Sequence, residues 1–314
     1  NKEMEAFFRN CTEGIRLRVR DCVHGGHTAN YATTLESDEN YVIKYLDYCS
    51  LYPHVQSTID IPISSPKSRL PPFTAQELAE FPFRGIALIT TLPPSNCRFP
   101  VLGCTLRNSF IFTLCRTCAL ENQQECDHDD PKDRAITGVF THLEVKKSLE
   151  LGYKILELKE LYEFDRWSDK LFLDYTRLFF QKKTESSGWP ADVRTEEEKD
   201  AYIAYYKQKL GITLEKEKIS LNKANRFLSK LLLNSAWGKT CQRSVTKSEY
   251  LDLEGLVGLL QSTTRSIQEV AYITAEICFV KHAPLVEEAE SPKYTNPLIG
   301  AFICSAGRLM LYEL

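Results

Sequence analysis

The pattern of apolar and polar positions along the chain predicts both strands and helices. Short β-rich runs over residues 41–44, 83–90 and 153–162 are typical of strands. Helices are predicted over residues 141–151, 168–183, 196–210, 219–238 and 298–314. We expect the 41–44 run to be a buried strand that ends before Pro53, because proline cannot donate to a sheet ladder.

Start and stop signals support two of these helices. Thr141 is followed three residues later by Glu144, which is typical of a capping box, and Gly152 is suited to end that helix. Helix 196–210 is acidic at its start and basic near its end, as the helix dipole favours, and Gly211 follows it.

Length, charge and cysteine content limit the class of protein. A chain of 314 residues can bury a sizeable core in one large or two smaller domains. The net charge of −3 argues against a surface that is basic all over, yet it allows a local basic face. The N-terminus has no signal-peptide pattern, so the 11 cysteines favour reduced thiols or a metal site over a disulfide framework.

The stretch from Tyr45 to Pro53 contains the first candidate for chemistry. Asp47 is predicted to lie where a strand gives way to a turn, and a carboxylate there needs a partner. A simple turn cap is the alternative interpretation.

A second candidate lies on the predicted helix 219–238. Arg226, Lys230 and Asn234 follow one another at intervals of four residues, so they line one face of a locally basic helix. Its apolar side is predicted to consist of Phe227, Leu228, Leu231 and Leu232. A merely solvated charged face is the alternative.

Two further patterns carry candidate chemistry. Cys115, Cys118, Cys126 and His128 could close a tetrahedral zinc site, and a set of reduced thiols is the alternative. With all four positions filled by protein, such a zinc ion would be structural. The pair Gly25-Gly26 permits close approach of a backbone or a phosphate, or simply forms a flexible turn.

The two main motifs resemble those of family B DNA polymerases. Asp-x-x-Ser-Leu-Tyr-Pro at residues 47–53 resembles the first metal-binding motif of that family, and residues 230–238 resemble its Lys-x-x-x-Asn-Ser-x-Tyr-Gly motif in the fingers. The resemblance implies that Asp47 binds two Mg²⁺ ions and that Leu51 and Tyr52 contact the nucleotide. It also implies that Arg226 and Lys230 hold the triphosphate with help from Asn234, while Trp237 and Gly238 face the nascent base pair.

Weaker stretches resemble the protein-primed members of that family. Gly25-Gly26-His27-Thr28 is similar to a Gly-Gly-Arg-Thr element that links the exonuclease and polymerase parts and contacts the template strand; here His27 replaces Arg. Together with stretches around Cys115, Trp189 and Arg308, this resembles the polymerases of Polinton/Maverick-type mobile elements and related viruses.

The resemblance implies a fold and partners. It implies an α+β fold with an antiparallel palm sheet that contains the strand before Asp47 and strands near 272–280, a helix over 298–314 packed on that sheet, helical-hairpin fingers, and an insertion between the main motifs. The implied parts are a linker (1–29), the first part of the palm (30–99), the insertion (100–166), the fingers (167–240) and the second part of the palm (241–314). The implied partners are template-primer DNA, a deoxynucleoside triphosphate and a terminal priming protein, with no membrane.

The implied activity is DNA-directed DNA synthesis by a two-metal mechanism. The Tyr-x-Asp-Thr-Asp-Ser motif that supplies the second metal-binding Asp in the family is missing from these residues. We therefore expect this stretch to bind nucleotide weakly without extending a primer. Two alternatives stay open, namely a non-catalytic nucleic-acid-binding remnant of a mobile element and a zinc-stabilised interaction module.

Overall fold

The computed structural model describes residues 16–30, 32–48, 50–106, 109–123, 125–242, 246–284 and 295–314. They belong to two compact units, one of Asn1–Trp237 with Leu298–Leu314 and one of Gly238–Pro297. Helices and antiparallel strands occur in both, so the predicted α+β class is confirmed. The predicted domain boundaries stay predictions, and residues 1–15 of the predicted linker lie outside the described residues.

The elements are numbered in chain order. The strands are β1 (Ile61–Pro62), β2 (Lys67–Arg69), β3 (Gly85–Leu92), β4 (Gly103–Leu106), β5 (Ser109–Phe112), β6 (Ile136–Thr141), β7 (Lys154–Glu163), β8 (Trp167–Ser168), β9 (Lys247–Asp252), β10 (Arg265–Tyr272) and β11 (Ile277–Pro284). The helices are α1 (Leu51–Thr58), α2 (Ala75–Glu80), α3 (Arg116–Glu121), α4 (Pro131–Arg134), α5 (His142–Glu150), α6 (Leu173–Glu185), α7 (Glu196–Leu210), α8 (Lys223–Thr240), α9 (Leu253–Leu260) and α10 (Pro297–Tyr312).

The first unit is built on a four-stranded antiparallel sheet in the order β2-β7-β3-β6. Helix α10 packs on this sheet, since Phe302 and Ala301 share a buried cluster with Ile86 and Leu88 of β3 and with Val139 of β6. The predicted helix near 298–314 is thereby confirmed, but the sheet on which it packs contains β3 and β6 and not the predicted strands near 272–280.

The second unit is a three-stranded antiparallel sheet in the order β10-β11-β9, with α9 between its first two strands in sequence. Leu256 of α9 packs on Cys278 and Val280 of β11. No helix among the described residues is long and apolar enough to cross a membrane.

Elements that carry their own start and stop signals form where they were predicted. Thr141 and Glu144 form a capping box at α5, and Gly152 after that helix has φ 89°. Helix α7 starts and ends as predicted, with Gly211 at φ 64° as its C-cap. Strands β3 and β7 lie within one or two residues of the predicted runs.

The structure corrects the predicted strand over residues 41–44. Val42 is 79% exposed and Tyr45 is 93% exposed, and within the described ranges no strand pairs with this run. A β-rich sequence forms a strand only where another strand accepts its hydrogen bonds. The predicted single sheet of this run with strands near 272–280 is also wrong, because β10 and β11 pair with each other and β11 pairs with β9.

Candidate active site

The Asp47 motif lies where exposed chain turns into helix α1. Asp47 itself is exposed, three residues before Ser50. Ser50 precedes the helix in the left-handed conformation, with φ 58° and ψ 44°. Lys183 Nζ of α6 donates a hydrogen bond to Ser50 Oγ over 3.2 Å, so a basic side chain from a neighbouring helix contacts this motif.

Tyr52 and Trp237 join the two sequence motifs. Their rings stack with centroids 4.4 Å apart and an interplanar angle of 24°. Tyr52 also lies against α10, where a Cβ added to Gly307 would meet its ring at 3.5 Å. Burial raises the pKa of the Tyr52 phenol above its ordinary value, so this ring is held in a partly apolar setting. The start of α1 is thus fixed against the C-terminal part of α8.

Arg226 and Lys230 of α8 lie on the flank of that helix that carries Trp237. At 100° per residue, Arg226, Lys230, Asn234 and Trp237 fall within roughly 80° of arc. At 1.5 Å per residue, Lys230 lies about 10 Å and Arg226 about 16 Å along the axis from Trp237. All three polar side chains are exposed, so they line an open face that begins at the Tyr52 ring.

Helices α6 and α8 are held together as a hairpin with α7 between them in sequence. The Tyr175 hydroxyl donates to the carbonyl oxygen of Leu232 over 2.9 Å. Beyond the end of α6, Arg226 Nε donates to Ser187 Oγ over 3.1 Å, and Ser187 pairs with Leu221 in an isolated bridge. Helix α8 begins four residues later than predicted because Asn222 caps it, its Oδ1 accepting from the Asn225 N–H.

The Gly25-Gly26 segment is held from two sides. Arg308 Nη1 of α10 donates to the carbonyl oxygens of His24 and Gly25, over 2.6 Å and 2.9 Å. The same guanidinium forms a buried ion pair with Glu144. On the other side, His24 stacks on Phe110 at 3.7 Å and His27 stacks on Phe112 at 4.1 Å.

At three glycines predicted to contact DNA, neither packing nor backbone conformation in the described part of the chain requires a glycine. Gly25, Gly26 and Gly238 are exposed, and none adopts the left-handed backbone region. A Cβ added to any of them would meet no described atom within 4 Å. The missing side chain therefore leaves clear surface at each position.

The predicted metal ligands converge. Sγ of Cys115, Cys118 and Cys126 lies 3.7, 3.3 and 3.9 Å from His128 Nδ1, respectively. All four candidate ligand atoms lie within 4.8 Å of one another. Cys115 precedes α3 at the N-cap position and Cys118 lies in its first turn, while Cys126 and His128 come from the loop before α4.

Two contributing residues were missed by sequence reasoning. Lys183 belongs to a predicted helix and could have been noticed as a cation near its C-terminal end. The role of Arg308 depends on contacts with residues 164 and 284 positions earlier, for which the sequence offers no local signal.

Comparison with solved structures finds phi29 DNA polymerase in three complexes. The polymerase with single-stranded DNA shares 13% identity at a TM-score of 0.43, the ternary complex with primer-template and nucleotides 15% at 0.47, and the post-translocation primer-template complex 14% at 0.42. These matches cover 92%, 98% and 92% of this chain, and 37%, 43% and 37% of the polymerase chains. The chain thus spans about two fifths of their length. No curated protein matches it.

The family comparison concerns the first three fifths of the chain. Residues 1–191 match the model of DNA polymerase type B, organellar and viral. This stretch contains the Asp47 motif and the cysteine cluster, while α8 lies outside it. The chain belongs to the organellar and viral type B DNA polymerases.

Proposed function

We propose that this chain forms the palm and fingers of a protein-primed DNA polymerase, in which a primer 3′-hydroxyl attacks the α-phosphate of a deoxynucleoside triphosphate. The observation that carries the proposal is the Tyr52–Trp237 stack, because it brings the end of the Asp47 motif, at the start of α1, to the flank of α8 that carries Arg226 and Lys230. Family membership supports the same reaction class.

Each side chain then has a role that its position allows. Arg226 and Lys230 would hold the triphosphate, since phosphoryl transfer is catalysed mainly by cations and positioning. Asn234, between Lys230 and Trp237 in the sequence, would help hold the nucleotide. Tyr52 would lie under the sugar and exclude a 2′-hydroxyl, and Leu51 would support that surface. Trp237 and Gly238 would face the nascent base pair.

Asp47 would hold the catalytic metal. Its exposed carboxylate offers the hard oxygen ligands that Mg²⁺ prefers. Two Mg²⁺ ions, when bound, stabilise the attacking and leaving oxygens. A second cofactor, one structural zinc ion, would be held by Cys115, Cys118, Cys126 and His128.

The proposed partners are template-primer DNA and a terminal priming protein besides the nucleotide. The clear surface at Gly25, Gly26 and Gly238 supports close approach of DNA there. The origin proposed from the sequence, a Polinton/Maverick-type element or related virus, accords with family membership. These 314 residues by themselves are proposed to bind nucleotide without extending a primer.

Binding of a fluorescent deoxynucleoside triphosphate in the presence of Mg²⁺ tests the proposal. Lys230→Ala removes one charge-assisted contact, worth about 1.5–3 kcal/mol, so affinity should fall roughly 10- to 100-fold. Lys207→Ala, an exposed lysine of α7 outside the site, is the matched control and should bind as the unmodified chain does. Equal affinities of the two variants would contradict the proposed triphosphate site.

A second measurement separates the polymerase from a nucleic-acid-binding remnant. Tyr52→Val should reduce the preference for deoxy- over ribonucleotides, because the ring no longer occupies the space of a 2′-hydroxyl. A chain that binds DNA but no nucleotide at any Mg²⁺ concentration would support the remnant instead.

A further inference from the structure

We propose that the cysteine–histidine cluster binds zinc in order to hold the β4–β5 hairpin as a clamp on the Gly25-Gly26 loop, which makes Phe110 and Phe112 positioning residues for the template strand. This rests on the proposed zinc site and on the proposed contact of the loop with template DNA.

The cluster has the dimensions of a tetrahedral zinc site. With Zn–S near 2.3 Å and Zn–N near 2.05 Å, a sulfur and a nitrogen on one ion lie about 3.6 Å apart. The observed separations from His128 Nδ1 are 3.3 to 3.9 Å. Thiolates and imidazole select zinc over Mg²⁺ or Ca²⁺. Four protein ligands leave no open position, so the ion would stabilise structure.

The β4–β5 hairpin ends only three residues before the first candidate ligand, Cys115. Strand β5 ends at Phe112, and Cys115 follows after Thr113 and Leu114. The Thr113 hydroxyl donates to the Cys115 carbonyl oxygen over 2.8 Å and accepts from the Cys115 N–H over 3.1 Å. This connection is short and hydrogen-bonded, so fixing Cys115 also fixes the end of β5.

The other side of the cluster is anchored to the main sheet. The Thr117 hydroxyl donates to the Asp133 carbonyl oxygen over 2.9 Å, which ties α3 to α4. Arg134 Nη2 donates to the carbonyl oxygen of Pro93, just beyond β3, over 2.9 Å. Strand β6 starts two residues later, at Ile136. A metal ion in the cluster would therefore connect β5 to the sheet.

Strand β5 is the more exposed strand of the hairpin. Among the described residues it pairs with β4 alone, and residues alternate between exposed and half-buried along it. Strand β4 is buried in the main core cluster and Phe110 packs against the same cluster, so the metal would add a second attachment at the Phe112 end of β5. Binding of a structural metal contributes directly to the folding free energy of the segment that supplies the ligands.

The hairpin presents two rings to the loop. Phe110 and Phe112 are two residues apart, so they share one face of β5. They stack on His24 and His27 with interplanar angles of 15° and 20°. These stacks flank Gly25 and Gly26, whose outer surface is clear. The clamp thus orients the loop without covering it.

Two variants separate the zinc site from the clamp. Cys126→Ser removes an exposed ligand, and Cys97→Ser replaces a half-buried cysteine outside the cluster as the control. Phe112→Leu keeps every ligand and removes one stack. For each purified chain we would measure zinc content, affinity for a fluorescein-labelled single-stranded oligonucleotide, affinity for the nucleotide, and the ring-proton NMR signals of His24 and His27.

We expect one zinc per chain in the unmodified protein and in Cys97→Ser and Phe112→Leu. Cys126→Ser should lose zinc and bind the oligonucleotide at least five-fold more weakly. Phe112→Leu should show the same weakening with zinc retained. In both variants the His27 ring signal should shift, and nucleotide affinity should stay within two-fold.

Three results would overturn the inference. An unmodified chain with well below one equivalent of zinc refutes the metal site. Zinc loss in Cys126→Ser without a change in oligonucleotide affinity or histidine signals refutes the clamp. Equal loss of oligonucleotide and nucleotide binding shows general destabilisation of the chain instead of loss of the clamp. If Cys126→Ser does not fold, Phe112→Leu still tests the clamp, because it leaves the ligands intact.

Discussion

Replacing Arg308 by methionine removes the charge that holds the Gly25-Gly26 loop from the side of α10. The guanidinium is nearly inaccessible, with a side-chain exposure of 5%, and its partner Glu144 is 2% exposed. Burial alone would disfavour the charge on Arg308, but the Glu144 carboxylate outweighs that effect and raises the pKa of the guanidinium. The guanidinium is therefore charged within the core, in direct contact with the Glu144 side chain.

The expected cost follows from what the substitution leaves behind. Arg308→Met leaves the Glu144 carboxylate buried without its cation, and breaking one side of a buried pair costs about 3–5 kcal/mol. The carbonyl oxygens of His24 and Gly25 lose their donor as well. Glu144→Gln should also destabilise. The loss of unfolding free energy in the double variant should be smaller than the sum of the two single losses by at least about 2 kcal/mol, because the two side chains interact directly.

Urea unfolding followed by tryptophan fluorescence gives these free energies. Trp167, Trp189 and Trp237 all belong to the first compact unit, so the signal follows the unit that contains the pair. Lys67→Met is the control, since its ion pair with Asp165 is exposed and should contribute under about 1 kcal/mol. A loss below about 1 kcal/mol in Arg308→Met, or strict additivity in the double variant, would refute the assignment of a buried anchoring pair.

Three further predictions follow from single residues. Burial lowers the pKa of His142 to about 4, so between pH 7 and pH 5 the unfolded state binds more protons than the folded state. Over that range the free energy of unfolding of the unmodified chain should fall by about 2 kcal/mol more than that of His142→Gln. Parallel pH profiles of the two chains in urea unfolding would contradict this. Gly238→Ala and its control, Gly258→Ala in α9, should both keep or raise the melting temperature, because a Cβ at either position meets no described atom. Only Gly238→Ala should weaken primer-template binding. Equal DNA affinities of the two variants would contradict a DNA-facing Gly238. Gly211→Ala should lower the free energy of unfolding by about 1 kcal/mol or more, since φ at this position is 64° and the new Cβ would lie 2.7 Å from Arg177 Nη2. An unchanged melting temperature would contradict this expected backbone and packing strain.

Local signals explain where sequence reasoning succeeded. The capping box of Thr141 and Glu144 and the C-cap Gly211 define helix ends through contacts within a few residues. The four residues of the cysteine cluster lie together because they fall within 14 consecutive positions, while zinc binding there stays a prediction.

Partners distant in the sequence explain the failures. The run 41–44 has strand-like composition, yet the described structure gives it no pairing strand. The predicted apolar side of α8 is largely exposed, with Phe227 at 68%, while Ser229 and Leu233 are buried. Which side of a helix is covered depends on the elements packed against it, and periodicity alone does not identify them.

The anchoring of Gly25 by Arg308 has a consequence for synthesis of the chain. The two ends of that hydrogen bond are 283 positions apart, so in a nascent chain only the stacks on Phe110 and Phe112 can hold the loop until α10 has emerged. Such distant contacts also form late in folding, because long chain segments must first be ordered. The contribution of Arg308 to the order of this loop is therefore acquired only after translation has passed α10.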